Sequence, residues 1–176
     1  MAFGDPAARQ RFEATVLVHL DAAFNLARWI LRDGAAAEDA VQEACLRSLR
    51  FFGGMRGPSP KAWFLSVVRN ACFDWLKENR HRALADQFDD EAHGTTADAP
   101  ETAFERNADA RWLRACILAL PLEYREVVVL RELEELTYKE IGAIVDVPIG
   151  TVMSRLSRGR DLLQRRMLAE RSRRSS

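Results

Sequence analysis

The chain has 176 residues, with 26 Lys and Arg against 26 Asp and Glu for a formal net charge of zero, and 48% of its residues are hydrophobic. That is enough apolar material for one medium core or two small ones. No apolar run is expected to span a membrane, and the N-terminal MAFGDPAARQRFEATVLVHL lacks the apolar centre and cleavage site of a secretory signal.

Helical periodicity dominates and no run of alternating strand residues appears, so the expected fold class is all-α. The first helix is predicted from about Arg9 to Leu31, with Phe12, Val16, Leu20, Ala23, Phe24, Ala27 and Ile30 on its apolar side. Asp33-Gly34 ends it, and a second helix follows from about Ala36 to Phe52. After the turn Gly53–Pro58, Ser59 and Pro60 suit the N-cap and first-turn positions of a third helix. This helix is expected to reach about Arg80, striped by Trp63, Phe64, Val67, Val68, Ala71, Cys72, Trp75 and Leu76. Cys45, Cys72 and Cys116 are odd in number and widely spaced, so they read as buried free thiols in a reducing compartment.

From Asp86 to Glu105 there are seven acids and no Lys or Arg, with Gly94, Thr95, Thr96 and Pro100 among them, which is the composition of a linker. Stretched out, residues 83–105 could span roughly 75–80 Å at ~3.4 Å each. A second domain starts near Asp109. One helix carries Trp112, Leu113, Cys116, Ile117 and Leu120, and Pro121 opens another through Val127, Val128, Leu130 and Leu133. The expected boundaries are 9–82 for the first domain, 83–108 for the linker, 109–170 for the second domain and 171–176 for a basic tail.

The second domain closes on TYKEIGAIVDVPIGTVMSRLSRGRDLLQRR, from Thr137 to Arg166. Thr137 and Glu140 form a capping box at the start of a helix that buries Ile141, Ile144 and Val145. Asp146, Val147 and Pro148 interrupt it, because the residue before a proline is steered out of the helical region. A second helix starts near Ile149 and packs Val152, Leu156 and Leu163 inward, leaving Thr151, Ser154, Arg155 and Arg158 on the other side. This is the pattern of a DNA-reading helix-turn-helix, whose second helix enters the major groove. Hydroxyls and guanidinium groups suit that face, since they reach phosphates and base edges. Residues 149–176 hold eight arginines against Asp161 and Glu170, so positive charge gathers at one end of a neutral chain. A solvated basic face on two amphipathic helices is the plainer alternative.

Signatures of enzymatic chemistry are lacking. Asp90-Glu91-Ala92-His93 spells a helicase-like tetrapeptide, but no glycine-rich phosphate loop accompanies it. His19, His81 and His93 have no metal-ligand spacing, no Cys/His cluster suggests zinc, and no nucleophile has a recognisable setting. Neither a cofactor, a metal nor a catalytic residue is expected. His19 is expected to be partly buried.

In the first domain, Asp39, Gln42 and Glu43 share one helical face by the i, i+3, i+4 rule, with Val41, Cys45, Leu49 and Phe52 opposite. Three polar residues alone would be an ordinary solvated face. However, EDAVQEACLRSLR, then AWFLSVVRNACFDWLKENRHR, then LPLEYREVVVLRELEELTYKEIGAIVDVPIGTVMSRLSRGRDLL follow one another in an order that resembles a bacterial RNA polymerase sigma factor of the extracytoplasmic-function (ECF) group. The resemblance covers residues from about 20 to 166.

The resemblance implies two helical domains, sigma regions 2 and 4, on a flexible linker. Asp39, Gln42 and Glu43 would dock on the clamp helices of the largest subunit of core RNA polymerase. Arg69, Asn70, Lys77, Arg80 and Arg82 would meet the −10 element, where a non-template base is flipped out as strands open. Trp63, Phe64 and Trp75 could stack on bases, although their spacing assigns them to the core first. Thr151, Met153, Ser154, Arg155 and Arg158 would hold the −35 element of promoter DNA, and other faces of region 4 would meet the polymerase flap. The linker would thread near the RNA exit path or serve as a plain tether. The place of action would be the bacterial cytoplasm and nucleoid.

Some positions depart from the family pattern. Met153 stands where many relatives carry Lys or Arg, which suits contact with thymine methyls. Asp146 stands where Gly is common, and Asp tolerates the left-handed conformation. Cys45 and Leu46 replace residues that are often aromatic. The chain also lacks the inhibitory N-terminal region and middle domain of housekeeping sigma factors, which implies control by a separate anti-sigma factor. A dimeric helix-turn-helix repressor, a sigma mimic and an all-helical enzyme are the competing readings.

Overall fold

The computed structural model describes residues 6–86 and 108–174, and every regular element among them is helical. The chain divides into two compact units, Met1–Ala97 and Asp98–Ser176. Most of the expected acidic linker, including the DEAH tetrapeptide, lies outside the described residues.

The first unit contains α1 (Pro6–Thr15), α2 (Leu20–Leu31), α3 (Gly34–Phe51) and α4 (Pro60–Asp86). The single helix expected from Arg9 to Leu31 is instead two, parted by a 3₁₀ turn at Leu17–His19. The run Thr15-Val16-Leu17-Val18 is rich in β-branched side chains, which crowd the preceding helical turn. The break lets Val16 sink into the core and brings the Phe12 ring edge-on to Phe52, with centroids 5.4 Å apart. Taken together, Pro6–Leu31 is long and apolar enough to cross a membrane by length and mean hydropathy (1.2), contrary to the sequence expectation. Its apolar residues Phe12, Val16, Leu26 and Ile30 are buried within this unit.

Arg32 ends α2 in the left-handed region (φ 62°), and Asp33 then caps α3 by accepting a hydrogen bond from the Ala36 amide at 2.9 Å. Helix α3 buries Ala36, Ala37, Ala40, Val41, Ala44 and Ser48. These small residues let it approach α2 and α4 closely. Its buried stripe is therefore rotated from the expected one, and Cys45, Leu49 and Phe52 are only half-buried. Ser59 accepts from the Ala62 amide at 3.1 Å and starts α4, which buries Ala62, Phe64, Leu65, Val68, Ala71 and Cys72. Helix α4 runs past Arg80 to Asp86, into the first residues expected as linker. Across the surface, Arg47 joins α3 to α4 by donating to Glu43 (2.7 Å) and Asp74 (2.6 Å).

The second unit contains α5 (Ala108–Leu118), α6 (Leu122–Val128), α7 (Tyr138–Val145) and α8 (Ile149–Arg174). Helix α6 widens into a π turn at Val129–Leu133, where the Glu134 amide reaches back to the Val129 carbonyl at 3.2 Å. Every residue from Arg125 to Leu130 is buried. The Arg125 guanidinium donates to the Leu118 carbonyl at 3.1 Å, which satisfies an orphan acceptor at the end of α5.

The capping box at Thr137 and Glu140 is complete, and Ile141, Ile144 and Val145 are buried as expected. Asp146 does adopt the left-handed conformation (φ 56°, ψ 51°). Gly142 makes the turn possible, because a Cβ there would stand 2.9 Å from the Val147 carbonyl oxygen. Val152 and Leu156 are buried, while Leu163 is half-buried. Gly159 faces α6 closely: a Cβ there would lie 2.8 Å from Val128 Cγ2.

Candidate nucleic-acid interface

Helix α8 leads out of the turn with its first amides engaged, since those of Thr151 and Val152 both donate to the Pro148 carbonyl (2.9 and 3.1 Å). Burial of Val152 and Leu156 on one side fixes the opposite side outward. Met153, Ser154 and Arg158 are exposed and Thr151 is half-buried. Ser154 Oγ donates to the Thr151 carbonyl at 3.0 Å, leaving its lone pairs as acceptors.

Arg155 is placed differently from its expected companions. Its guanidinium is 3.7 Å from the carboxylate of Glu126, a side chain 2% exposed within α6, and its own side chain is 23% exposed. Arg160 is also tied back, donating to Glu132 at 2.6 and 2.9 Å, and that carboxylate holds its pKa above the ordinary arginine value. Within the basic helix, then, arginines that brace the unit alternate with those that face outward. Ile149, the first residue of α8, is 48% exposed and lies one turn before Met153, which is 53% exposed. Sequence reading did not assign Ile149 to the site; its i, i+4 spacing from Met153 was the available signal.

In the first unit Asp39, Gln42 and Glu43 are all exposed on α3. The Arg47 bridge holds the Glu43 carboxylate in place. Leu46, three residues beyond Glu43, continues the same face and is 61% exposed. On α4, Asn70, Lys77 and Arg80 are exposed, and with Arg69 they fall within about a 100° sector of a helix turning 100° per residue. The Arg69 guanidinium lies 4.4 Å from the centroid of the Phe73 ring, which the sequence reading did not single out. The expected stacking residues separate by position. Phe64 is fully buried, Trp75 projects from the side away from Arg69 and Asn70, and Trp63 borders their sector, half-buried. Side chains beyond Arg80 on α4, Arg82 included, lie outside the described residues.

Titratable groups outside these faces read as structural. Burial pushes the Cys72 thiol up to about 12, and it raises the half-buried Cys45 as well, which corrects the expectation of three buried thiols. His19 is partly buried, and desolvation followed by the charge of Lys61 lowers its pKa. Among the described residues no His, Cys, Asp and Glu side chains cluster as metal ligands. An open groove of about 480 Å³ runs along α8, lined chiefly by Trp112, Val128, Leu163, Met167 and Leu168.

Comparison with known proteins matches residues 15–82 to Sigma-70 region 2 and residues 110–163 to Sigma-70 region 4. The ECF RNA polymerase sigma factor SigE of Mycolicibacterium smegmatis is 32% identical over 166 residues, covering 93% of this chain; the chain spans 64% of that protein's length. SigW of Bacillus subtilis is 30% identical over 167 residues, which cover 89% of this chain and 88% of SigW. Among solved structures, the sigma factor RpoE of Bartonella quintana, in complex with the anti-sigma factor NepR, superposes with a TM-score of 0.72 at 24% identity. That match covers 90% of this chain and 95% of RpoE, and it shows a shared fold.

Proposed function

This chain belongs to the sigma-70 family, in its ECF group, and on that footing we propose that it binds core RNA polymerase and directs it to promoters carrying its own −35 and −10 elements. The observation that carries the reading is the pairing, within one chain, of an exposed acidic helix face and a helix-turn-helix with an outward basic face. Asp39, Gln42 and Glu43 on the first face, and Ser154 and Arg158 on the second, are all exposed.

In this reading residues 9–82 act as region 2 and residues 109–170 as region 4, with 83–108 between them as tether and 171–176 as a basic tail. Asp39, Gln42 and Glu43 meet the clamp helices of the largest subunit, where carboxylates complement a basic surface. Asn70 offers both a donor and an acceptor to a base edge of the −10 element. Lys77 and Arg80 hold phosphates beside it, and Arg69, steadied over Phe73, works at the edge of the same sector. Capture of a flipped base there offsets part of the cost of strand opening. Thr151, Met153, Ser154 and Arg158 face the −35 element. Arg155 aligns the recognition helix through Glu126 and reaches DNA only at the margin of that face. The groove along α8 takes the polymerase flap. The polymerase supplies the chemistry, so the chain acts as a cytoplasmic regulatory subunit rather than an enzyme. An anti-sigma factor is the proposed regulator, by analogy with the NepR-bound relative.

The test is to add the full chain to sigma-free core polymerase and map transcription starts on genomic DNA. Discrete starts that share −35 and −10 elements are expected. Asp39→Lys with Glu43→Lys should abolish them by preventing association with core. Core binding without starts would favour a sigma mimic, and a palindromic footprint without polymerase would favour a repressor.

A further inference from the structure

Two large apolar side chains stand at the leading end of α8 although the core has no need of them. Val152 and Leu156 already supply the buried side of these first turns, being 0% and 1% exposed. Ile149 and Met153 remain about half exposed, four residues apart and therefore stacked on one side of the helix. Single exposed apolar residues are ordinary on protein surfaces. A pair at the tip of the helix-turn-helix, on the flank of α8 between the buried stripe and Ser154 and within a segment of eight arginines and two acids, is more apolar surface than the core uses.

Charge complementarity selects nucleic acid as the occupant of this end of the helix. Along the major-groove floor of B-DNA, the thymine C5 methyl is the apolar feature by which a side chain can tell one base pair from another. We infer that Ile149 and Met153 form an apolar reader of thymine methyl groups, so that this chain selects its −35 element partly by methyl contact. The inference rests on the placement of α8 at the −35 element proposed above, and it names what that helix prefers there. Met153 is the central contact because its flexible thioether can follow a methyl group over several positions. Ile149 is stiffer and limits the register at one end. The hydroxyl of Ser154 and, farther round the helix, Arg158 supply polar contacts.

The experiment uses the holoenzyme formed from the full chain and core polymerase, on a promoter obtained from the start mapping. Each −35 thymine on either strand is replaced in turn by deoxyuridine, which removes the methyl and leaves the hydrogen-bonding edge intact. Binding should weaken about fourfold at one or two positions, the equivalent of ~0.8 kcal/mol per buried carbon. Met153→Ala should make the holoenzyme indifferent to the same replacements, and Ile149→Ala should do so at one end of the element. Both side chains are exposed and alanine favours helix, so neither variant threatens the fold. Indifference of the unaltered protein to every deoxyuridine would overturn the inference and leave the promoter reading standing. So would undiminished sensitivity in both alanine variants. Absence of discrete starts would overturn the promoter reading, and the inference with it.

Discussion

Gly159→Ala offers a test of how closely α8 must approach α6. The new Cβ would stand 2.8 Å from Val128 Cγ2 and 3.4 Å from Tyr124 Cβ, where carbon atoms prefer about 3.5–4.0 Å. Val128 is 2% exposed and β-branched, so it cannot swing aside cheaply. Overpacking of this kind costs about 1–3 kcal/mol. Replacing glycine by alanine inside a helix returns up to about 1 kcal/mol through propensity. The strain should win by about 1 kcal/mol, lowering the melting temperature of this small domain by roughly 4–8 °C. Gly150→Ala, in the same helix, is the control, because its Cβ would meet nothing within 4 Å. That variant should melt at or above the wild-type temperature, and the gap between the two largely cancels the propensity term. Thermal unfolding followed by circular dichroism reads both. A Gly159→Ala protein as stable as Gly150→Ala would refute the claim that this glycine sets the α6–α8 distance.

Arg155 and Arg158 should separate in binding assays over a range of salt. Arg158→Ala should reduce the salt slope by about 0.9 if it holds a phosphate, or cost about 1–3 kcal/mol at one base pair if it reads a base. Arg155→Ala should leave the slope nearly unchanged and lower stability instead, by about 1–3 kcal/mol, because the buried Glu126 carboxylate loses a cationic neighbour. Thiol labelling of the native protein at pH 8 should modify Cys45 first. Cys72, buried and with its thiol pushed up to about 12, should react only on unfolding. His19 has a folded-state pKa below its unfolded value of 6.5, so the unfolded chain takes up the proton more readily. Its contribution should be fully present above about pH 6.5 and be lost as pH falls below that value and through the lower folded-state pKa. Denaturant titrations of wild type and His19→Gln between pH 5 and 8 should show the wild type losing stability relative to the variant as pH falls below about 6.5, with a constant difference above it; parallel curves throughout would dismiss the effect.

Much of this molecule is written in local patterns. The capping box at Thr137, the left-handed turn at Asp146, the Ser59 cap and the acidic face of Asp39, Gln42 and Glu43 all depend on residues within one or two helical turns. Sequence alone determined the all-α class, the helix-turn-helix and the family resemblance. What it misjudged depended on partners far away in the chain. The first helix breaks at Leu17–His19, where Phe12 and Val16 turn into the core and Phe12 meets Phe52. The buried stripe of α3 is set by how closely α2 and α4 approach, so Cys45 came out half-exposed. Arg155 carries the same charge as Arg158 three residues on. Only the fold brings it beside Glu126, 29 positions earlier, while Arg158 is left facing solvent. Residue type and helical spacing state what a side chain can do, but the direction in which it is spent depends on which distant carboxylate, ring or methyl group the packing sets against it.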